Sequence, residues 1–276
     1  MVSNFHLPPV GFGPGSQPDE GGEELSYMQL PSGMRTYSAH LPHVDDLTPL
    51  APALRLLADI AEAAEACAAG GMARFDLAPL DAENRALIAE TMGQGEVSMK
   101  IRGIPALMVQ ESVFAGVWSI AGAGIDAIEV GAVPAAALSR AFEPFRAGRG
   151  TSHPRPAGVV NAPALIAELT EKSASFAGGL PHVINLTLLP HTEEDLLWLD
   201  AALGEGAVTI LSRGYGNCRI TATALAHVWR VQFFNSMDTL ILDTFEVTTM
   251  PEVALAARED LADSAERIRE VLEAIR

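Results

Sequence analysis

Basic residues and cysteine are both scarce in this chain of 276 residues, and each scarcity excludes something. With 18 Lys and Arg against 35 Asp and Glu, the net charge of -17 repels phosphate backbones and anionic lipid heads, so neither nucleic acid nor a membrane surface is an expected partner. Only two cysteines occur, Cys67 and Cys218, and neither has a Cys or His neighbour at a metal-ligand spacing. That leaves no disulfide scaffold and no zinc site to expect. Long hydrophobic runs are missing too, although 49% of the residues are hydrophobic. The longest, Ser112 to Ile125, lies between Glu111 and Asp126 and is well short of the roughly 20 residues that a membrane span needs. The first basic residue is Arg35, and no apolar core with a cleavage site precedes it, so a cytoplasmic protein without a secretory leader is the expectation.

What the chain does contain is a repeat. Ala51-Pro52-Ala53-Leu54 recurs as Ala162-Pro163-Ala164-Leu165, an offset of 111 residues that then holds without a gap. Gly93 and Gly95 meet Gly204 and Gly206, Arg102-Gly103 meets Arg213-Gly214, and Val117-Trp118 meets Val228-Trp229. Past the tryptophans the offset becomes 117, so that Asp126 and Glu129 meet Asp243 and Glu246. The six extra residues fall at Gln232 to Asp238, where Asn235-Ser236 reads as a turn, and insertions belong in loops.

Hydrophobic period and punctuation give each unit the same plan. Helices span Pro52 to Ala69 and Pro163 to Ala177, each with a proline at its first position, and short strands follow at Ala73 to Ala78 and Val183 to Leu188. Asp81 and Thr192 cap second helices that end at Gly93 and Gly204. Four strands complete each unit: Val97 to Arg102, Leu107 to Glu111, Gly116 to Ala121 and Ile125 to Val130, then Val208 to Ser212, Cys218 to Thr223, His227 to Phe234 and Leu240 to Thr248. The expected fold class is therefore α+β: two tandem copies of a helix-strand-helix-antiparallel meander unit in pseudo-twofold relation, plus a C-terminal helix over Glu252 to Arg276. Residues 1–48 form a Pro/Gly-rich arm, 49–147 the first repeat, 148–160 a linker and 161–276 the second repeat with its closing helix.

No constellation of residues announces catalysis. Gly214-Tyr215-Gly216-Asn217-Cys218-Arg219 is glycine-rich and sets a thiol between Arg213 and Arg219, but it lacks the context and Lys-Ser/Thr ending of a phosphate loop. It reads as a turn with a half-buried cysteine, as a protein-contact loop or as a reactive thiol. Phe233, Phe234, Asn235 and Met237 lie at the insertion peculiar to the second copy, where apolar side chains suit either a partner or the core. Gln110 and Glu111 have no counterpart in Thr221-Ala222, and a lone carboxylate reads as part of a solvated strand face. His40, His43 and Asp45-Asp46 lie in the arm, ahead of any rigid element that could fix a metal, and Trp118 and Trp229 read as core.

Several of these segments carry a resemblance. Asn161 to Leu165, His182 to Pro190, Ser212 to Ile220 and Val228 to Asp243, with Gln110 to Trp118 and Gly13 to Gln17 more weakly, resemble the hydrogenase expression/formation family HupH/HyaF. The resemblance implies an accessory protein, not an enzyme and without a cofactor. It would act in the cytoplasm on the iron-sulfur small-subunit precursor of a nickel-iron uptake hydrogenase before twin-arginine export, beside other hydrogenase accessory proteins. The partner-contact residues expected are Arg213, Tyr215, Asn217, Cys218, Arg219, Phe233, Phe234, Asn235, Met237, Gln110 and Glu111. The other expectation is a redox or iron-sulfur cluster protection or delivery protein working through Cys218.

Overall fold

The computed structural model describes residues 47–214 and 216–275. Helix α1 (Ala51–Ala68) starts with proline in its first turn and carries Ala53, Leu57, Ile60, Ala61, Ala64 and Cys67 on one buried face. Strand β1 (Ala73–Asp76) follows, then α2 (Ala82–Met92), where the Asp81 carboxylate accepts the Asn84 N–H and Gly93 ends the helix at a φ of 55°. The first half continues with β2 (Val97–Ile101), β3 (Leu107–Glu111), β4 (Val117–Gly122) and β5 (Ile125–Val130), and a short helix α3 (Ala135–Ser139) that the sequence did not announce.

The second half repeats the order: α4 (Ala162–Ser175), β6 (His182–Asn185), α5 (Glu193–Leu203), β7 (Val208–Ser212), β8 (Asn217–Ala222), β9 (Val228–Phe234) and β10 (Leu240–Val247). Strand β6 is shorter than its sequence suggests. At Leu186–Leu188 the chain enters a 3-10 turn that buries Leu186. The last helix, α6 (Arg258–Ile275), starts later than Glu252, because Glu252–Ala254 form a separate 3-10 turn after Pro251.

All ten strands form one antiparallel sheet in the order β1-β5-β4-β3-β2-β7-β8-β9-β10-β6. Each half therefore contributes the same five-strand order, read from the outside inward. The halves join by pairing β2 with β7, and in that register Met99 faces Ile210, the residue 111 positions further on. The joint is matched by two backbone bonds: Arg102 N–H donates to Ala207 O, and Arg213 N–H to Glu96 O.

Side chains alternate across a strand, so the sheet has two distinct faces. On one lies a core common to both halves, with Met99, Ile101, Val109, Trp118, Ile120, Ile210, Ile220, Trp229 and Val231 under α3 and the chain around Met250 and Ala254. Both indoles are fully buried, and each donates to a carbonyl just beyond its hairpin, Trp118 to Gly131 O and Trp229 to Thr248 O. Among the described residues, the opposite face is covered at its flanks alone. Over β1, β5 and β4 lie α1, α2 and α6 around Leu57, Ile60, Ile88, Phe114, Ile128 and Ile268. Over β6, β10 and β9 lie α4 and α5 around Leu169, Trp198, Val228, Phe245 and Val247.

Helix α6 thus ends the second half of the chain but packs against α1 of the first. Residues of the segment between the halves are held against α5. The His153 ring stacks on Trp198, whose Nε1 donates to Pro154 O.

Candidate functional site

Between the two flanking helix layers, the four central strands β3, β2, β7 and β8 present a face that nothing among the described residues covers. One cross-strand row runs Gln110, Ser98, Leu211, Arg219, Gln232 and Asp243, and the next runs Met108, Lys100, Thr209, Thr221 and Arg230. Leu211 is 43% exposed and Met108 58%. Both are apolar residues at positions where a half-covered strand usually places polar ones. The outer end of the row is closed by a bidentate ion pair: Arg230 Nη2 donates to Asp243 Oδ2 at 2.6 Å and Nε to Oδ1 at 3.0 Å.

At the far end of β7, β8 and β9 this face deepens into a pocket of about 470 Å³. One wall is Leu211, Ser212 and Arg213, leading into the β7–β8 turn. Asn217, Cys218 and Arg219 on β8 form the floor, and Phe234 and Asp238 close the other wall. The Arg219 guanidinium lies 5.5 Å from the centre of the Phe234 ring, a cation–π contact that holds the cation over the pocket. The five residues between β9 and β10 rise beside it. Asn235 organises this loop by accepting the N–H groups of Met237 and Thr239, and the loop leaves Met237 83% exposed. Leu240 and Ile241, at the start of β10, are exposed next to it.

The tertiary structure gathers Arg213, Asn217, Cys218, Arg219 and Phe234 around one concavity and puts Asn235 and Met237 on its rim. Tyr215 lies outside the described residues, as do His40, His43, Asp45 and Asp46. Phe233 points to the other side of the sheet, against the common core. Gln110 belongs to the same row as Arg219 but three strands away, roughly 14 Å at the usual strand spacing. Its side-chain amide donates to the carbonyls of Gly95, Val97 and Glu111, so it serves the β2–β3 joint. Glu111 is a correction. It is not on a solvated face but buried at 8% exposure, opposite Trp118, accepting the Gly116 N–H. Burial, with smaller contributions from the nearby Glu96 and Asp260 charges, pushes its carboxyl up to about 7.

Cys218 is not half-buried either: its exposure is 3%. Burial first, and the Glu246 carboxylate second, push its thiol up to about 12, so at neutral pH it holds its proton. Arg219, its neighbour in sequence, points away from its side of the strand, and neither arginine lowers the thiol. Leu211, Met108, Leu240 and Ile241 are the contributors that sequence reasoning missed. The available signal was a leucine on the polar phase of Val208-Thr209-Ile210-Leu211-Ser212. Among the described residues no helix is long and apolar enough to cross a membrane, and no group of three or more His, Cys, Asp or Glu side chains could hold a metal.

Comparison with known proteins places this arrangement. The model of the family "HupH hydrogenase expression protein, C-terminal conserved region" matches residues 50–143 and 159–275. The hydrogenase expression/formation protein HupH of Rhodobacter capsulatus is 81% identical over all of both chains. HoxQ of Cupriavidus necator, another hydrogenase expression/formation protein, is 44% identical over 98% of each chain. The hydrogenase-1 operon protein HyaF of Escherichia coli K12 is 35% identical over 73% of each. The chain belongs to the HupH hydrogenase expression protein family.

Proposed function

We propose that this protein is a non-catalytic accessory factor in hydrogenase maturation, which holds the iron-sulfur small-subunit precursor of a nickel-iron enzyme before its export by the twin-arginine route. The observation that carries the reading is the uncovered face of the four central strands. A soluble protein seldom leaves apolar side chains such as Met108, Leu211, Met237 and Ile241 in open view along one face and one hairpin unless something covers them. A precursor awaiting its clusters exposes complementary apolar surface. The names of the relatives supply the process. On this reading the two halves are copies of one unit related by a pseudo-twofold axis between Met99 and Ile210, and the second copy alone elaborates the contact loops. Outside the pocket, the acidic surface adds attraction for a basic signal segment.

The deciding experiment is co-purification from cells expressing the hydrogenase operon, with the small subunit made with and without its signal peptide. Recovery of the precursor supports the reading and shows whether the signal peptide contributes. If no hydrogenase component is recovered while enzyme is being assembled, the reading fails. A cluster-handling role through Cys218 finds no support in the site, since the thiol is shut in and protonated and no metal-holding group forms around it among the described residues.

A further inference from the structure

The two halves share a joint at which one arginine forms an ion pair and its counterpart, among the described residues, does not. Arg102, at the exit of β2, forms an ion pair with Glu205 at 3.0 Å, donates to Thr209 Oγ1 and lies 4.5 Å from the centre of the Phe145 ring. Arg213, at the exit of β7, occupies the matching place, with the matching backbone bond to the opposite half. The residue that corresponds to Glu205 at the offset of 111 is Gln94, an exposed neutral amide. Arg213 consequently makes no ion pair among the described residues. Arg219, on the facing strand, makes none either, and its first-half counterpart is Met108. In a chain of net charge -17, two guanidinium groups that make no ion pair among the described residues converge on one pocket, one of them fixed over an aromatic ring, while Glu96, opposite Arg213 across the joint, turns its carboxylate to Gly214.

We propose that this pocket is a carboxylate-binding site that seats an acidic segment of a protein partner, with Arg213 and Arg219 as its anchors. The guanidinium fork matches a carboxylate in both geometry and charge. Phe234, Leu211 and the exposed Met237 offer adjacent apolar surface, so the fitting segment alternates acidic and apolar residues. Asp238 on the far wall limits the negative charge the pocket tolerates, and the acidic surface beyond disfavours polyanions. The proposal takes only the identity of the partner, the small-subunit precursor, from the maturation reading; the site itself does not depend on it.

Two fluorescein-labelled peptides test it by anisotropy with the full chain, one alternating glutamate and leucine, the other glutamine and leucine. The acidic peptide should bind more tightly. Arg213→Gln and Arg219→Gln should each weaken it by about tenfold, in line with a lost charge-assisted hydrogen bond. Arg55→Gln, the same charge loss on the outer face of α1, should leave it within about twofold. Gln94→Glu leaves every pocket residue in place but gives Arg213 the acid that Arg102 already has, and should weaken the acidic peptide, whereas Asp238→Asn should strengthen it. Equal binding of the two peptides, or an Arg213→Gln loss no greater than that of Arg55→Gln, overturns the site. The same variants against the small-subunit precursor then separate the two ideas. Capture that falls with Arg213→Gln identifies the precursor as the occupant; capture that all variants leave intact overturns that assignment while the maturation reading stands. Failure of the wild type to capture precursor at all sinks the maturation reading and the precursor's assignment together, and leaves the peptide result to decide the pocket.

Discussion

At the residue scale, four side chains behave against their types. Cys218 lies between two arginines in sequence but on the other side of the strand from Arg219, and alternation alone keeps the thiol from their charge. It should resist alkylation by iodoacetamide in the folded protein and react freely in denaturant, and Cys218→Ala should bind the precursor as the wild type does. Rapid labelling of the native chain would contradict this. Glu111 keeps a proton in the folded state that the unfolded chain releases near its ordinary 4.5, so its contribution to stability is present below that pH and lost as pH rises to about 7. Glu246, raised by burial and secondarily by Glu252, slopes in the same direction. Glu111→Gln should therefore flatten, without abolishing, the fall in melting temperature between pH 4.5 and 7; an unchanged slope would mean the carboxyl is solvated. His227 has a φ of 62° where its first-half counterpart Gly116 has 77°. The histidine tolerates the left-handed turn while its ring contacts Phe142 and Phe176. Neither the burial of Glu111 nor the fate of His227 was legible in the sequence, because both depend on which loop lies over the strand end.

Helices are the elements whose ends the sequence marks best. Asp81 and Thr192 are the caps that their positions announce, and Gly93 and Gly204 the stops. What the sequence does not disclose is that Asp195 serves two helices at once. It completes the capping box of α5 with Thr192 and also accepts the N–H groups of Val160, Asn161 and Ala162 at the start of α4. Burial raises its carboxyl, but the donors Ala162, Thr192, Val160 and Asn161 outweigh that and bring it down to about 2. The stability it supplies is present above the ordinary carboxylate value near 3.8 and lost as pH falls through about 2. Asp195→Ala should cost about 3 kcal/mol in denaturant unfolding, two caps being lost together. Asp195→Asn should cost about 1 kcal/mol, since Asn84 in the first half accepts the Ala53 N–H from the same position. Equal losses would show that the charge carries the contribution and that the neutral acceptor kept by asparagine adds nothing. Helix α6 has the apolar stripe expected of it, with Leu261, Ile268, Val271, Leu272 and Ile275 all buried, yet the sequence does not say against what. Because it seals α1, Ile268→Ala should cost about 3 kcal/mol and loosen the first half before the second, as hydrogen exchange would register.

Over the whole molecule, pairing β2 with β7 merges ten strands into one sheet and lets Met99 and Ile210 share a core with both tryptophans. The two halves should therefore unfold in one calorimetric transition, and two resolved transitions would show that the central pair is weak. The same merger explains how the site arises. A flank of helices is packed at each end of one sheet face, and no described residue covers the central strands between them. The sequence by itself determined the alternating and helical periods, the caps and the glycine stops, because those are local constraints written in neighbouring residues. It also determined that Arg219 and the long hairpin have no first-half equivalent, Met108 standing where Arg219 does, whereas Arg213 is matched by Arg102. Which strands meet at the joint, that α6 crosses to the first half, that Glu111 and Cys218 are shut away, and that Arg213 has no acid where Arg102 has Glu205 were decided only by the tertiary structure. Each is a contact between residues far apart in the chain, and only the packing of one sheet brings them within reach of one another.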